Sequence, residues 1–289
     1  MAYKLHADKS PNEGFSMRLT RPFRLALLGA LIGLAALVAP SVRAATLDEI
    51  LKSGEIRVGV NPTLPPRAFY DDKNAIVGFE PEVAQELAQK LGVKLVLVPV
   101  GSPDRIPFLA ANRIDIVMGA MSRTPDRAKV IDFTVPLHSE NYGIVTRADT
   151  GIASMADLNH DSVTLVEVRG TVMVSVLARL APNAKMLLLD NYDDRDRAIA
   201  QGRASASVDG IDTAAFRLKQ YGNTSWKLIG VPELGITWDC LGIAKGNDTL
   251  RNTLNVVLFD MHRSGDVERS WEKWFGRPMD TKVPAIPWF

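Results

Sequence analysis

Residues 113–137 read RIDIVMGAMSRTPDRAKVIDFTVPL, and this stretch decides the fold. Residues 114–118 are an apolar run rich in Ile and Val, broken only by Asp115, which is the pattern of a buried strand. Gly119 ends the run. Thr124 followed by Pro125 reads as a helix start, with Thr as the N-cap and Pro at the first helical position. A strand therefore runs into a small-residue loop with a helix beginning beside it. In open α/β sheets, ligands bind at such carboxyl ends of strands. Arg127 falls in the first helical turn, where a guanidinium can fork onto a carboxylate through two parallel hydrogen bonds. A solvated surface arginine would give the same local pattern, so both readings stand at this point.

Outward from this stretch, strands and helices alternate. Residues 47–51 suggest a short helix ended at Gly54, and residues 56–60 (IRVGV) a strand. That strand enters a Pro-rich loop, residues 61–66. Phe69 and Tyr70, then the turn at 71–74, then Ile76 and Val77 suggest a hairpin. In the next helix Phe79, Val83, Leu87 and Leu91 recur every fourth residue; Pro81 suits its first turn and Gly92 its end. Residues 93–100 are almost wholly apolar, which predicts a parallel strand buried on both faces. Residues 101–107 read as loop and 108–111 as helix. Beyond residue 137, strands are expected at 142–146, 163–168, 186–189, 204–208 (ending at Asp209), 226–231 and 241–244. Helices are expected at 155–158, 172–180, 191–201, 211–218 and 250–264, and a last one holds Trp271, Trp274 and Phe275. The Pro-rich tail, 279–289, is expected to pack along the surface. This alternation argues an α/β fold with a parallel sheet, and the sequence contains no convincing repeat.

The chain of 289 residues is long enough for two ordinary domains. Its formal charge is +1, but residues 1–44 carry six Lys/Arg against two acids; subtracting that +4 leaves −3 for the rest. A mildly acidic body without a basic stripe argues against nucleic acid as a partner. Arg18, Arg21 and Arg24 precede an uncharged apolar run, 25–39, and Val42-Arg43-Ala44 follows Pro40. That is a signal-peptide pattern with cleavage expected after Ala44; the rival reading is a retained anchor, for which the run is short. Met17 offers an alternative start. Cys240 is the only cysteine, so no internal disulfide is expected and a buried, inert thiol is.

Catalytic signatures are missing. There is no G-x-S-x-G elbow, P-loop, H-E-x-x-H or dinucleotide fingerprint, and His138, His160 and His262 are too scattered to suggest a zinc cluster. No cofactor and no metal are expected.

Five pieces in order, IRVGVNPTLPP, GFEPEVAQELAQKLG, RIDIVMGAMSRTPDRAKVIDFTVPL, VEVRGT and GRASASVDG, together with LGIAKGNDTLRNTLN and GDVERSWEKWFG, resemble bacterial extracellular solute-binding proteins of family 3, the amino-acid-binding components of ABC transporters. The resemblance covers essentially all of the chain after the leader. It implies a two-lobed type II periplasmic-binding-protein fold: lobe 1 from 45–140 and 239–289, lobe 2 from 141–238, with crossings near 139–142 and 237–240. It also implies a periplasmic monomer that captures a free L-amino acid and hands it to an inner-membrane permease, without catalysis. By position, Arg127 corresponds to the carboxylate clamp and Ser122 to the loop residue that assists it. Gly119 and Ala120 correspond to carbonyl acceptors near the ammonium, Thr171 after Gly170 to the second-lobe donor, and Asp209 to the ammonium partner. Asn61, Leu64 and Phe69 fall in the loop that lines the side-chain pocket, where Leu64 stands in place of a frequent aromatic. Arg169 has no assigned role and is expected to face water. A cation and an anion on different lobes suit a zwitterion that loses its water on closure. Two rivals share the scaffold: an enzyme similar to cyclohexadienyl or arogenate dehydratases, and a sensor acting through a separate receptor.

Overall fold

The computed structural model describes residues 44–285, so the expected leader, apart from Ala44, and residues 286–289 of the tail lie outside the described residues. In chain order the first part supplies α1 (Leu47–Ser53), β1 (Glu55–Val60), β2 (Thr63–Leu64), β3 (Ala68–Tyr70), β4 (Ile76–Val77), α2 (Phe79–Leu91), β5 (Lys94–Pro99), α3 (Arg105–Ala110), β6 (Ile116–Val117), α4 (Pro125–Ala128) and β7 (Ile131–Glu140). The middle supplies β8 (Tyr142–Arg147), β9 (Thr164–Val168), α5 (Val172–Leu180), β10 (Lys185–Leu189), α6 (Tyr192–Ala200), β11 (Ala206–Gly210), α7 (Ile211–Arg217) and β12 (Trp226–Gly230). The chain closes with β13 (Thr237–Ala244), α8 (Asp248–Ser264) and α9 (Asp266–Phe275).

These strands form two five-stranded sheets, ordered β5-β1-β6-β13-β7 and β10-β9-β11-β8-β12, plus the small ribbon β2-β3-β4. Each five-stranded sheet joins parallel strands on one side to antiparallel ones on the other. The sheets are thus mixed, not purely parallel as the alternation suggested. Asn141 alone separates β7 from β8, and residues 231–236 lead back from β12 to β13.

Local chemistry sets the element ends. Thr46 and Glu49 form a reciprocal capping box on α1, and Gly54, Gly92 and Gly265 end α1, α2 and α8 in the left-handed region. Phe79, Val83 and Leu87 are buried on one face of α2. Trp271 of α9 meets Phe79 edge-on at 5.3 Å and stacks on Phe275 at 3.9 Å. Replacing such a core side chain with Ala costs about 2–5 kcal/mol. Among the described residues no helix is long and apolar enough to cross a membrane.

Three expectations differ from the structure. The ten-residue strand β7 lies where the sequence showed only the end of the opening stretch. Pro136 argues against a central strand, and β7 is in fact at the edge, paired on one side to β13 through an irregular register at Cys240 and Pro136. The apolar strand β5 is also at an edge and half-buried, not covered on both faces. Residues 101–107, read as loop, instead hold a 3-10 turn at Ser102–Asp104 and the start of α3, which holds Pro107. Pro103 and Pro107 fall in first turns, where the missing N–H leaves no intrahelical bond unmade.

Candidate functional site

The loop after β6 is held from two sides. It passes through Gly119 (φ 82°) and Ala120 (φ 54°), the latter a left-handed conformation uncommon for a residue with a side chain. The buried carboxylate of Glu80 accepts from Gly119 N at 2.8 Å and Ala120 N at 3.0 Å. From the other side Arg105 donates to Gly119 O, and to Ala120 O at 3.2 Å. The amides and carbonyls of the turn are thus both engaged, which keeps the strained backbone in one conformation.

Thr124 caps α4 as the sequence predicts, its hydroxyl accepting from Arg127 N at 3.3 Å. This single turn aims Arg127 back over the loop, where Nη1 donates to Ser122 O at 2.8 Å and Nη2 to Gly170 O at 2.8 Å. Arg105 donates to the same Gly170 O at 3.0 Å and to Ser102 O at 3.1 Å. Burial lowers the pKa of Arg105. Burial and the neighbouring Arg105 push Arg127 down to about 10.

The second sheet contributes the opposite wall. Gly170 (φ 77°) lies so close to the 102–103 turn that a Cβ there would meet Ser102 O at 2.6 Å and Pro103 Cα at 2.8 Å. Thr171 precedes α5 without capping it, and its hydroxyl donates to Val168 O at 2.8 Å. Asp209 Oδ2 accepts from Arg195 at 2.7 Å and Arg217 at 2.5 Å, and Oδ1 accepts from Gly210 N at 2.9 Å. Both arginines also pair with Asp196 at 2.9 Å and lie over the Tyr192 ring. Burial opposes the charge on Asp209, but the two arginines overcome it and hold its pKa well below the usual carboxylate range. Burial pushes Glu167 up to about 8 against the field of Arg195, and Glu140 up to about 8 against Arg67.

These walls enclose a cavity of about 30 Å³, against roughly 300–1,000 Å³ for an ordinary ligand pocket. Leu64, Ala120, Ser122, Thr171 and Asp209 line it, together with Arg67, Arg105, Glu140, Tyr142, Glu167, Tyr192 and Arg195. Arg127, Gly119 and Gly170 adjoin it through the hydrogen bonds above. Two pocket candidates do not reach it. Asn61 is turned away, bonded to Ser102 and Thr63, and Phe69 packs edge-on against Trp274 at 5.9 Å. Two of the expected ammonium partners are already engaged within the protein. Ala120 O already accepts from Ser122 N and Arg105, leaving no lone pair for an ammonium. Asp209 is not an isolated anion but part of a neutral set with Arg195, Arg217 and Asp196. Arg169 lies at the surface, paired with Asp190 at 2.8 Å.

The buried charges were missed in the sequence because charged residues read as surface by default. Arg67 is the clearest case: it pairs with Glu140 at 2.7 Å and donates to Thr213 at 3.0 Å, and it contacts His138 Nε2 at 2.6 Å. Among the described residues no group of three or more His, Cys, Asp or Glu is arranged to hold a metal ion.

Residues 56–277 match the family described as bacterial extracellular solute-binding proteins, family 3. The glutamate/aspartate import solute-binding protein of Escherichia coli K12 is 26% identical over 249 residues, covering 82% of each chain. The L-cystine-binding protein TcyJ of the same organism is 28% identical, covering 90% of this chain and 98% of that one. Among solved structures, the ancestral amino acid-binding protein AncCDT-1, a precursor of cyclohexadienyl dehydratase, is 32% identical with a TM-score of 0.74, covering 80% of this chain and 100% of that one.

Proposed function

Because the chain belongs to the bacterial extracellular solute-binding proteins of family 3, we propose that it closes its cleft on the α-carboxylate and α-ammonium of a free amino acid through the residues described above. The fold is the two-lobed α/β type II periplasmic-binding-protein fold. The protein is an amino-acid-binding component of an ABC import system, it acts in the periplasm, and it is a binder rather than an enzyme.

In this reading the carboxylate meets Arg127, Ser122 and the open amide end of α5 behind Thr171. The ammonium meets Gly119 O and Asp209 Oδ1. The observation that carries the reading is the shared cavity: Ser122 from the loop after β6 and Arg105 from the start of α3 reach it on the side of the first sheet, Thr171 and Asp209 on the side of the second. A cavity this small has room for little more than a water molecule, so the lobes must part for an amino acid to enter. We take the lobes as 45–140 with 239–289, and 141–238, and the leader as removed after Ala44. N-terminal sequencing of periplasmic protein checks the leader; a full-length membrane-bound chain refutes it.

The function test is a thermal-shift screen of the common L-amino acids. A ligand at 100 times its dissociation constant adds about 2.7 kcal/mol of stability. At least one amino acid should raise Tm in the parent and not in Arg127→Ala. A flat response to all of them defeats the reading.

A further inference from the structure

The guanidinium groups around the cleft are not all paired by contact with a carboxylate. Arg67, Arg195 and Arg217 each have a carboxylate partner. Arg105 and Arg127 do not: among the described residues they donate only to backbone carbonyls, and both converge on Gly170 O. Asp239 acts on both through its field, yet neither of its buried oxygens has a hydrogen-bond partner among the described residues. The other acids nearby are engaged elsewhere. Glu80 holds the loop amides, Glu140 holds Arg67, and Glu167 accepts from Val208 N at 2.8 Å.

The ammonium side is depleted in the opposite sense. Arg105 already donates to Gly119 O and Ala120 O, and Asp209 is shared by two guanidinium groups. Two cations with no carboxylate in hydrogen-bond contact, held only in the field of Asp239 and, for Arg105, of Glu80, lie beside acceptors that are already bonded. A buried guanidinium held only by carbonyl dipoles gains most from a ligand that brings a full negative charge.

Resting on the amino-acid reading above, we infer that the cleft selects ligands of net negative charge, namely amino acids with an acidic side chain, and that Arg105, which lines the cavity, is the residue that reads this charge. Its guanidinium and that of Arg127 share the two carboxylates of such a ligand. The amide analogues, equal in shape, supply one carboxylate for two cations.

The test is titration calorimetry on the protein purified from the periplasm, with L-aspartate, L-glutamate, L-asparagine, L-glutamine and L-arginine. An acid should bind at least about tenfold more tightly than its amide. Arg105→Gln should collapse that ratio with unchanged circular dichroism, and Arg105→Lys should retain part of it. An amide or L-arginine binding the parent as tightly as the acids overturns the inference, and this outcome needs no variant to fold. If such a neutral or basic ligand still depends on Arg127, the amino-acid reading survives and only the charge selection fails. If no amino acid binds, both fail.

Discussion

Arg127 Nη2 donates to Gly170 O at 2.8 Å, a hydrogen bond between the helical turn that follows the first sheet's β6 and the loop that opens α5 beside the second sheet. The two residues are distant in sequence, and Arg105 joins the same oxygen at 3.0 Å. One carbonyl from the second lobe thus receives two cations from the first. The bond couples the proposed carboxylate site to the approach of the lobes, because moving Gly170 away frees the guanidinium groups.

Arg127→Lys keeps the charge but cannot bond Ser122 O, Gly170 O and a carboxylate at once. Losing one partner of a desolvated charge pair costs about 2–5 kcal/mol. Calorimetry should show at least a tenfold loss in affinity, roughly the 1.4 kcal/mol step, and a greater loss for Arg127→Ala. Parent-like affinity in both variants would remove Arg127 from the site.

Gly170→Ala places a methyl group where Ser102 O stands 2.6 Å away, on a backbone with φ 77°. The conformation alone costs about 1–2 kcal/mol for a residue with a Cβ. The lobes should fail to meet: ligand affinity drops, and small-angle scattering at saturation shows no fall in radius of gyration. A variant that contracts on ligand as the parent does would show that this contact does not govern closure.

Asp209→Ala strands Arg195 and Arg217 on Asp196 alone. Breaking a buried pair by removing one partner costs about 3–5 kcal/mol. Thermal unfolding should therefore show a Tm lower by on the order of 10 °C, together with weaker binding. Weaker binding at an unchanged Tm would mean that Asp209 serves the ligand and not the network.

Glu167 is held protonated by burial, with a pKa of about 8 in the folded protein against 4.5 for the free group. A folded-state pKa that is raised means stability is full below pH 4.5 and is lost as pH climbs through about 8. Each unit of that elevation is worth about 1.4 kcal/mol. Glu167→Gln should flatten the fall in Tm between pH 5 and about 8 relative to the parent. Parallel curves for the two proteins would place the titration elsewhere.

Much of the scaffold was legible because its signals are local. The four-residue repeat of Phe79, Val83 and Leu87, the cap at Thr124 and the stops at Gly92 and Gly265 each act within a turn or two of chain. Ser122, Thr171 and Asp209, singled out through the family resemblance, all line the cavity. Phe69 does not, because its ring direction depends on Trp274, far along the chain. Strand β7 was missed because Pro136 speaks against a central strand, and nothing local reveals that the strand would be an edge.

The sequence by itself determined the order of most strands and helices, though not β7, and also the loop after β6 and the turn that carries Arg127, since apolar period and capping chemistry are properties of short segments. Tertiary structure alone decided which charges meet. Arg105 on Gly119 and Gly170, Arg67 on Glu140, and Arg195 with Arg217 on Asp209 are pairings between different elements, and several join segments far apart in the chain. A charge becomes a binding group or a structural one according to the partner that remains after water is excluded, and that partner is chosen only when the sheets and loops close together.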